Sequence, residues 1–200
     1  MSLDRESIIA VDAVLLLSGE ALERITQLNA LMYAEQPDGF QFGPTRVPHI
    51  TLAQFYVRRT NLLELINRAD TILRETEPLD LSVAKLKGRN QVVSLRIGRT
   101  TELLRLHARL MDEVKTLSAD EGSIEAFYGP DVPARETDAD YVAGFRRRCS
   151  YARYVPHITL GYGSPPVPDV FMDFVCGAAG LFQLGRFCTC RQMLHRWELH

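Results

Sequence analysis

No stretch of this 200-residue sequence is apolar for long enough to cross a bilayer as a helix. The most apolar early run, Ile8 to Leu17, is ten residues with Asp12 in its middle, against the roughly 20 that a spanning helix needs. It also makes a poor signal peptide, because Asp4 and Glu6 flank Arg5 where a cationic segment would stand. Cysteine is scarce: Cys149, Cys176, Cys188 and Cys190 crowd into the last third without even spacing. That argues against a disulfide framework and for a reduced, cytoplasmic protein. Nor is there an excess of either charge. Twenty-three Lys and Arg against 25 Asp and Glu leave a formal charge of −2, so the field that draws proteins to bulk nucleic acid is missing. A small phosphorylated ligand held by a few local groups stays open.

An apolar fraction of 46% is enough to bury a real core, and the length predicts one domain, residues 1–200, built of two lobes. Ile8–Leu17 reads as a central strand, and Ser18 as the cap of a helix striped by Leu22, Ile25, Leu28 and Met32. A loop rich in Pro, Gly and Phe runs from Gln36 to Pro44, and a strand continues to Tyr56 or Val57. Asn61 with Glu64 resembles a capping box opening a helix to Leu73. Alternation at Leu79–Val83 and Val93–Ile97, with Gly88-Arg89-Asn90 between, predicts a hairpin. Thr100 caps a third helix carrying Leu103, His107, Leu110, Val114 and Leu117 on one face. Residues 119–150 are the least regular. A turn at Pro165, Pro166 and Pro168, a short helix near Val170–Val175 and a terminal hairpin over Leu181–Leu199 complete the reading. Mixed strands and helices with hairpin connections predict an α+β fold rather than a doubly wound sheet.

One segment occurs twice. Val47-Pro48-His49-Ile50-Thr51-Leu52 returns unchanged as Val155-Pro156-His157-Ile158-Thr159-Leu160, 108 residues later. Two copies signify a duplication; a solenoid would show at least three. In a strand, residues two apart share a face, so each copy presents an imidazole with a hydroxyl and turns Ile and Leu toward its core. Each proline fixes φ just before the histidine and offers no N–H. If the copies lie side by side about a pseudo-two-fold axis, two imidazoles and two hydroxyls converge. Two histidines about one phosphate can split a phosphodiester: one takes a proton from the attacking oxygen, the other gives one to the leaving oxygen. An ordinary pKa of about 6.5 suits imidazole to both tasks. Threonine hydroxyls can donate to the non-bridging oxygens. The scheme requires no metal and no cofactor.

Paired His-x-Thr-x motifs on strands about a hundred residues apart resemble the signature of the two-histidine (2H) phosphoesterase superfamily, which includes 2′-5′ RNA ligase-like proteins and cyclic nucleotide phosphodiesterases. The resemblance implies a bilobal α+β fold in which two antiparallel sheets face a central cleft with helices outside. It makes His49 and His157 the acid/base pair, and Thr51 and Thr159 the phosphate-holding hydroxyls. The expected activity is metal-independent hydrolysis of a 2′,3′-cyclic phosphate on a nucleotide or short RNA end, with 2′-5′ ligation as its reverse. The alternatives are a non-catalytic nucleotide-binding module, and an enzyme acting on another phosphodiester such as an RNA 3′ end or an ADP-ribose cyclic phosphate. A monomer is expected, with no membrane partner.

Neighbouring residues carry weaker signals. Phe40, Phe42, Phe55, Tyr56, Tyr154 and Tyr162 lie near the motifs and suit base stacking. Unbroken alternation from His49 turns Ala53 and Phe55 into the cleft and Gln54 and Tyr56 away from it. The same parity from His157 puts Gly161 and Gly163 in the cleft and Tyr162 opposite. Arg46 and Arg153 precede the motifs and suit a phosphate, as do Arg146 to Arg148; Ser94 and Arg96 can share the cleft face of their strand. Cys188-x-Cys190 with His195 offers three zinc ligands but reads better as small buried thiols. His107, on an apolar helix face, reads as a hydrogen-bonded core residue.

Overall fold

The first strand, β1 (Ile8–Leu16), is buried along almost its whole length and forms the middle of a five-stranded sheet. A computed structural model describes residues 7–129, 132–165 and 170–200. Asp4, Arg5 and Glu6, and Pro166 and Pro168 of the expected proline turn, lie outside the described residues. After β1 come α1 (Gly19–Glu35), β2 (His49–Arg58), α2 (Leu62–Arg74), β3 (Leu79–Arg89), β4 (Val92–Ile97) and α3 (Thr101–Glu113). Then follow β5 (Ser118–Ala119), α4 (Glu136–Cys149), β6 (His157–Tyr162), β7 (Asp173–Cys176), β8 (Ala178–Gly185) and β9 (Thr189–Glu198). One sheet has the order β5-β2-β1-β8-β9 and the other β6-β4-β3-β7, every pairing antiparallel. The expected α+β class with two antiparallel sheets is the fold found. Each sheet carries one copy of the repeated motif.

Several local expectations need correction. Asn61 has helical backbone angles and makes no side-chain cap, because a 3-10 turn over Arg59–Asn61 runs straight into α2. Thr100 does cap α3, accepting from the Leu103 N–H at 3.2 Å. Ser18 makes no side-chain cap bond. The turn of the β3–β4 hairpin sits at Asn90-Gln91, both with positive φ, beyond the expected glycine. The irregular stretch 119–150 contains α4. The segment expected to be a short helix near Val170–Val175 gives instead β7, an edge strand paired to β3.

One apolar core runs through both halves, with Ile50 and Leu52 from the first motif and Ile158 and Leu160 from the second among its fully buried members. A smaller core lies on the opposite face of the five-stranded sheet, where Tyr56, Val142, Phe182 and Cys190 pack together beneath α4. The helices cross-brace the halves: α1 packs on β6, and α3 packs on β2.

Candidate active site

Both copies of the motif begin a strand, and both break the strand at the same place. In β2 the ladder with β1 passes from Thr51 opposite Val14 to Ala53 opposite Ala13, leaving Leu52 without a partner. In β6 the ladder with β4 passes from Thr159 opposite Ser94 to Gly161 opposite Val93, leaving Leu160 without one. Each is a β-bulge, and an extra residue in one strand reverses which side chains face which way beyond it. The bulged carbonyls find other donors. Leu52 O lies 2.6 Å from His107 Nδ1, and Thr51 O accepts from the Tyr154 hydroxyl at 2.7 Å. Leu160 O accepts from Asn29 Nδ2 at 2.7 Å. His107 Nε2 in turn accepts from Tyr151 N–H at 2.8 Å, which fixes Nδ1 as its donor nitrogen. His107 is thus a fully hydrogen-bonded core residue, stacked on Tyr154 with ring centroids 3.8 Å apart.

The bulges correct the parity reading. Phe55 is 6% exposed and belongs to the main core, away from the cleft. Gln54 and Tyr162, five residues after their respective histidines, turn inward instead and line a cavity of about 320 Å³. Gly161 faces α1, where an added Cβ would stand 3.5 Å from Asn29 and 3.6 Å from Met32. Tyr56 points under α4 and donates to Ala139 O at 3.1 Å.

His49, Thr51, His157 and Thr159 all line that one cavity. The two imidazoles are anchored alike. Each Nδ1 lies 2.8 Å from the carbonyl oxygen two residues back, Val47 for His49 and Val155 for His157. Donation to a carbonyl places the proton on Nδ1 and leaves Nε2 free to accept one. Burial pushes His49 down to about 4 and lowers His157 as well, with Arg96 a further cause at His157. Both rings are therefore neutral at pH 7 until an anion arrives to favour the charged form.

Asp12 stands beneath the first motif. It is fully buried, with its Oδ2 accepting from Thr51 Oγ1 at 2.7 Å and Gln54 Nε2 at 2.8 Å, and 3.8 Å from His49 Nε2. Burial raises this carboxyl to about 8 against those two hydrogen bonds, which lower it. Asp12, His49 and Cys190 bring three donor atoms of metal-ligand type within 4.8 Å of one another. The shared oxygen already receives two hydrogen bonds, however, and burial keeps Cys190 a thiol. The cluster accordingly reads as a proton-bearing group.

These shifts act on stability in opposite directions. His49, His157 and His107 hold protons more weakly when folded, so their contribution is full above the ordinary imidazole range and lost as pH falls through it. Asp12 holds its proton more tightly, so its contribution is full below the ordinary carboxylate range and lost as pH rises toward about 8. Between pH 6 and pH 9 thermal melts should show the native chain losing roughly 5 °C or more relative to Asp12→Asn, a difference in which the imidazoles common to both chains cancel. An unchanged alkaline slope in the variant would contradict a protonated Asp12.

The cavity has two sides. On one, Phe40, Phe42, Tyr162 and Phe187 form an aromatic wall, with Tyr162 and Phe187 centroids 5.0 Å apart and the Arg135 guanidinium 4.2 Å above Phe187. Phe187 and Cys188 both have positive φ, an uncommon state for large side chains. The Asp138 carboxylate holds that turn by accepting from the Phe187 N–H at 3.1 Å while Arg135 grips the same carboxylate. On the other side, beyond His157, an adjoining cavity of about 370 Å³ is lined by Lys87, Arg96, Arg148 and Arg153, with no carboxylate among its described lining residues. Ser94 lines it too. Arg46 lines neither cavity. Cys188 and Cys190 join the smaller core, whereas the His195 ring packs on Trp197 at 4.6 Å, so these three do not gather. Sequence reading missed Asp12, Gln54, Arg135 and Phe187. Gln54 needed the bulge, Asp12 needed its partner Thr51, 39 residues on, and the last two come from far along the chain with no pattern around them.

The chain matches the family described as the 2′-5′ RNA ligase superfamily over residues 19–179. Comparison with curated protein sequences gives no match. Among solved structures it resembles TT0787 of Thermus thermophilus, at 17% identity and a TM-score of 0.66, over 96% of this chain and 98% of that one. It also resembles Escherichia coli LigT. The complex of that protein with 3′-AMP gives 16% identity and a TM-score of 0.54 over 96% and 99% of the two chains. Its complex with phosphate gives 17% and 0.54 over 96% and 98%. These likenesses establish a shared fold.

Proposed function

Given that this chain belongs to the 2′-5′ RNA ligase superfamily of 2H phosphoesterases, we propose that it hydrolyses a 2′,3′-cyclic phosphate at the end of a nucleotide or short RNA, with 2′-5′ ligation as the reverse reaction. The observation that carries this is the matched anchoring of His49 and His157, which leaves one Nε2 from each motif free at the same cavity. In the forward direction one Nε2 takes a proton from water as its oxygen bonds to phosphorus. The other imidazole, protonated as the anion binds, gives its proton to the 2′ or 3′ oxygen as the P–O bond breaks, leaving a phosphomonoester. Thr51 and Thr159 hold the non-bridging oxygens.

The two-sided cavity supports a substrate longer than one nucleotide. A base fits the aromatic side, where stacking tolerates any sequence. Lys87, Arg96, Arg148 and Arg153 suit the phosphates that follow. LigT, which shares the fold, has been crystallised with 3′-AMP, with ATP and with phosphate. A nucleotide in this cavity agrees with those complexes.

The test is phosphorus NMR with 2′,3′-cyclic AMP and with a short RNA ending in a cyclic phosphate, both in EDTA. Turnover to a phosphomonoester is expected for both. Arg96→Ala with Arg153→Ala should raise KM for the RNA by about tenfold or more and change it less than about threefold for the mononucleotide. Tight binding without product would favour a nucleotide-binding module instead.

A further inference from the structure

We propose that Asp12 is a positioning residue that sets the direction of the Thr51 hydroxyl proton, and so decides whether the first motif can hold an anionic oxygen. The inference deepens the phosphate-site reading and rests on it. Thr51 has one proton. With Asp12 ionised, that proton is drawn to Oδ2 at 2.7 Å, and the hydroxyl shows the cavity only lone pairs, which repel a phosphate oxygen. With Asp12 protonated on Oδ2, the carboxyl donates to Thr51 Oγ1 and the threonine proton is released toward the cavity. The same side-chain positions serve both states; only the direction of one hydrogen bond changes.

The other half of the molecule supplies an internal comparison. Asp12 pairs with Gln54 in the first sheet, and Val92 pairs with Tyr162 in the second. Gln54 and Tyr162 occupy matching places after their histidines, so Val92 stands where Asp12 does. Thr159 consequently has no carboxyl beside it and makes no side-chain hydrogen bond among the described residues. Two motifs with identical sequence thus differ in one buried group. Its environment favours the protonated form: Asp12 Oδ1 is buried with no hydrogen-bond partner among the described residues, a state far costlier for a carboxylate than for a neutral acid.

The groups facing Asp12 leave it alone in the neutral to alkaline range. From β2 comes His49, held below the ordinary imidazole value, with His157 beyond it held low also. Cys190 from β9 and Cys188 just before it are both pushed well up by burial, with Asp12 a further cause. Tyr141 from α4 and Tyr154 before β6 are raised likewise. The partner across β8 is Phe182, which carries no charge.

The test uses sulfate, whose charge is constant across the range, with the intact chain, Asp12→Asn and Asp12→Val. Asparagine keeps a donor for Thr51 that no pH removes, and valine copies the second motif. Infrared difference spectra with ¹³C-labelled aspartate should show a protonated carboxyl in the native chain at pH 6.5 that is lost by pH 9.5 and missing from both variants. Sulfate affinity of the native chain should fall about tenfold more than that of either variant over the same interval. A carboxyl ionised throughout, or equal falls in all three chains, would overturn the proposal. Absence of sulfate binding in every chain at every pH would overturn it too, and would count against the phosphate site itself; a titrating carboxyl band seen alongside it would place the failure in the site reading.

Discussion

Replacing His49 or His157 by alanine should each lower kcat on a 2′,3′-cyclic phosphate by about a hundredfold or more, with KM moved by less than about threefold. The expectation follows from geometry. Each ring donates through Nδ1 to its own backbone, so neither imidazole can stand in for the lost Nε2 of the other. The double variant should fall little further than the worse single one, because acid and base act in one step. The pH dependence sharpens the test. In the free chain both imidazoles are held low, so protonation waits for the anion. The kcat/KM profile should be bell-shaped, with the acid limb below the ordinary imidazole range, where the base takes up its proton. A rate flat from pH 5 to pH 9 would refute an imidazole pair in the chemical step.

Asn29→Ala should cost about 3 kcal/mol and lower the melting temperature by roughly 6–12 °C. Asn29 is fully buried in α1 and its amide is saturated: Nδ2 donates to Phe40 O at 3.0 Å and Leu160 O at 2.7 Å, while Oδ1 accepts from the Phe42 N–H at 2.6 Å. Alanine would leave two carbonyls and one amide buried without partners, each a loss on the scale of about 1–3 kcal/mol, partly relieved by relaxation. Calorimetry measures the stability. Fluorescence titration with 3′-AMP would show whether the aromatic wall loosens as well, since the same side chain ties Phe40 and Phe42 to the second motif. A melting temperature within about 2 °C of the native value would contradict this role.

Much of this was legible from six repeated residues. The recurrence of Val-Pro-His-Ile-Thr-Leu implied two strands, two imidazoles and two hydroxyls, and the structure gathers those four side chains at one cavity. Alternation then failed at Leu52 and Leu160, because nothing in a local pattern of polar and apolar residues marks a bulge whose freed carbonyls are met by side chains far away. Hence Phe55 read as cleft-facing and lies in the core, while Gln54 and Tyr162 read as outward and line the cavity. α4 was hidden because two of its five buried residues are Asp138 and Gly144, which leaves only Ala139, Val142 and Phe145 as an apolar stripe. Asp12 registered only as a break in an apolar strand; its meaning depends on Thr51, 39 residues on, and Gln54, 42 residues on.

The cross-bracing by α1 and α3 ties the two motifs together mechanically. Helix α1 of the first half supplies the amide that closes the bulge of the second motif, and α3 of the second half supplies the imidazole that closes the bulge of the first. Each motif therefore keeps its shape through a side chain that comes from the other side of the molecule, and the two share one mechanical fate: loosening α1 strips a partner from the Leu160 carbonyl, and loosening α3 strips one from the Leu52 carbonyl.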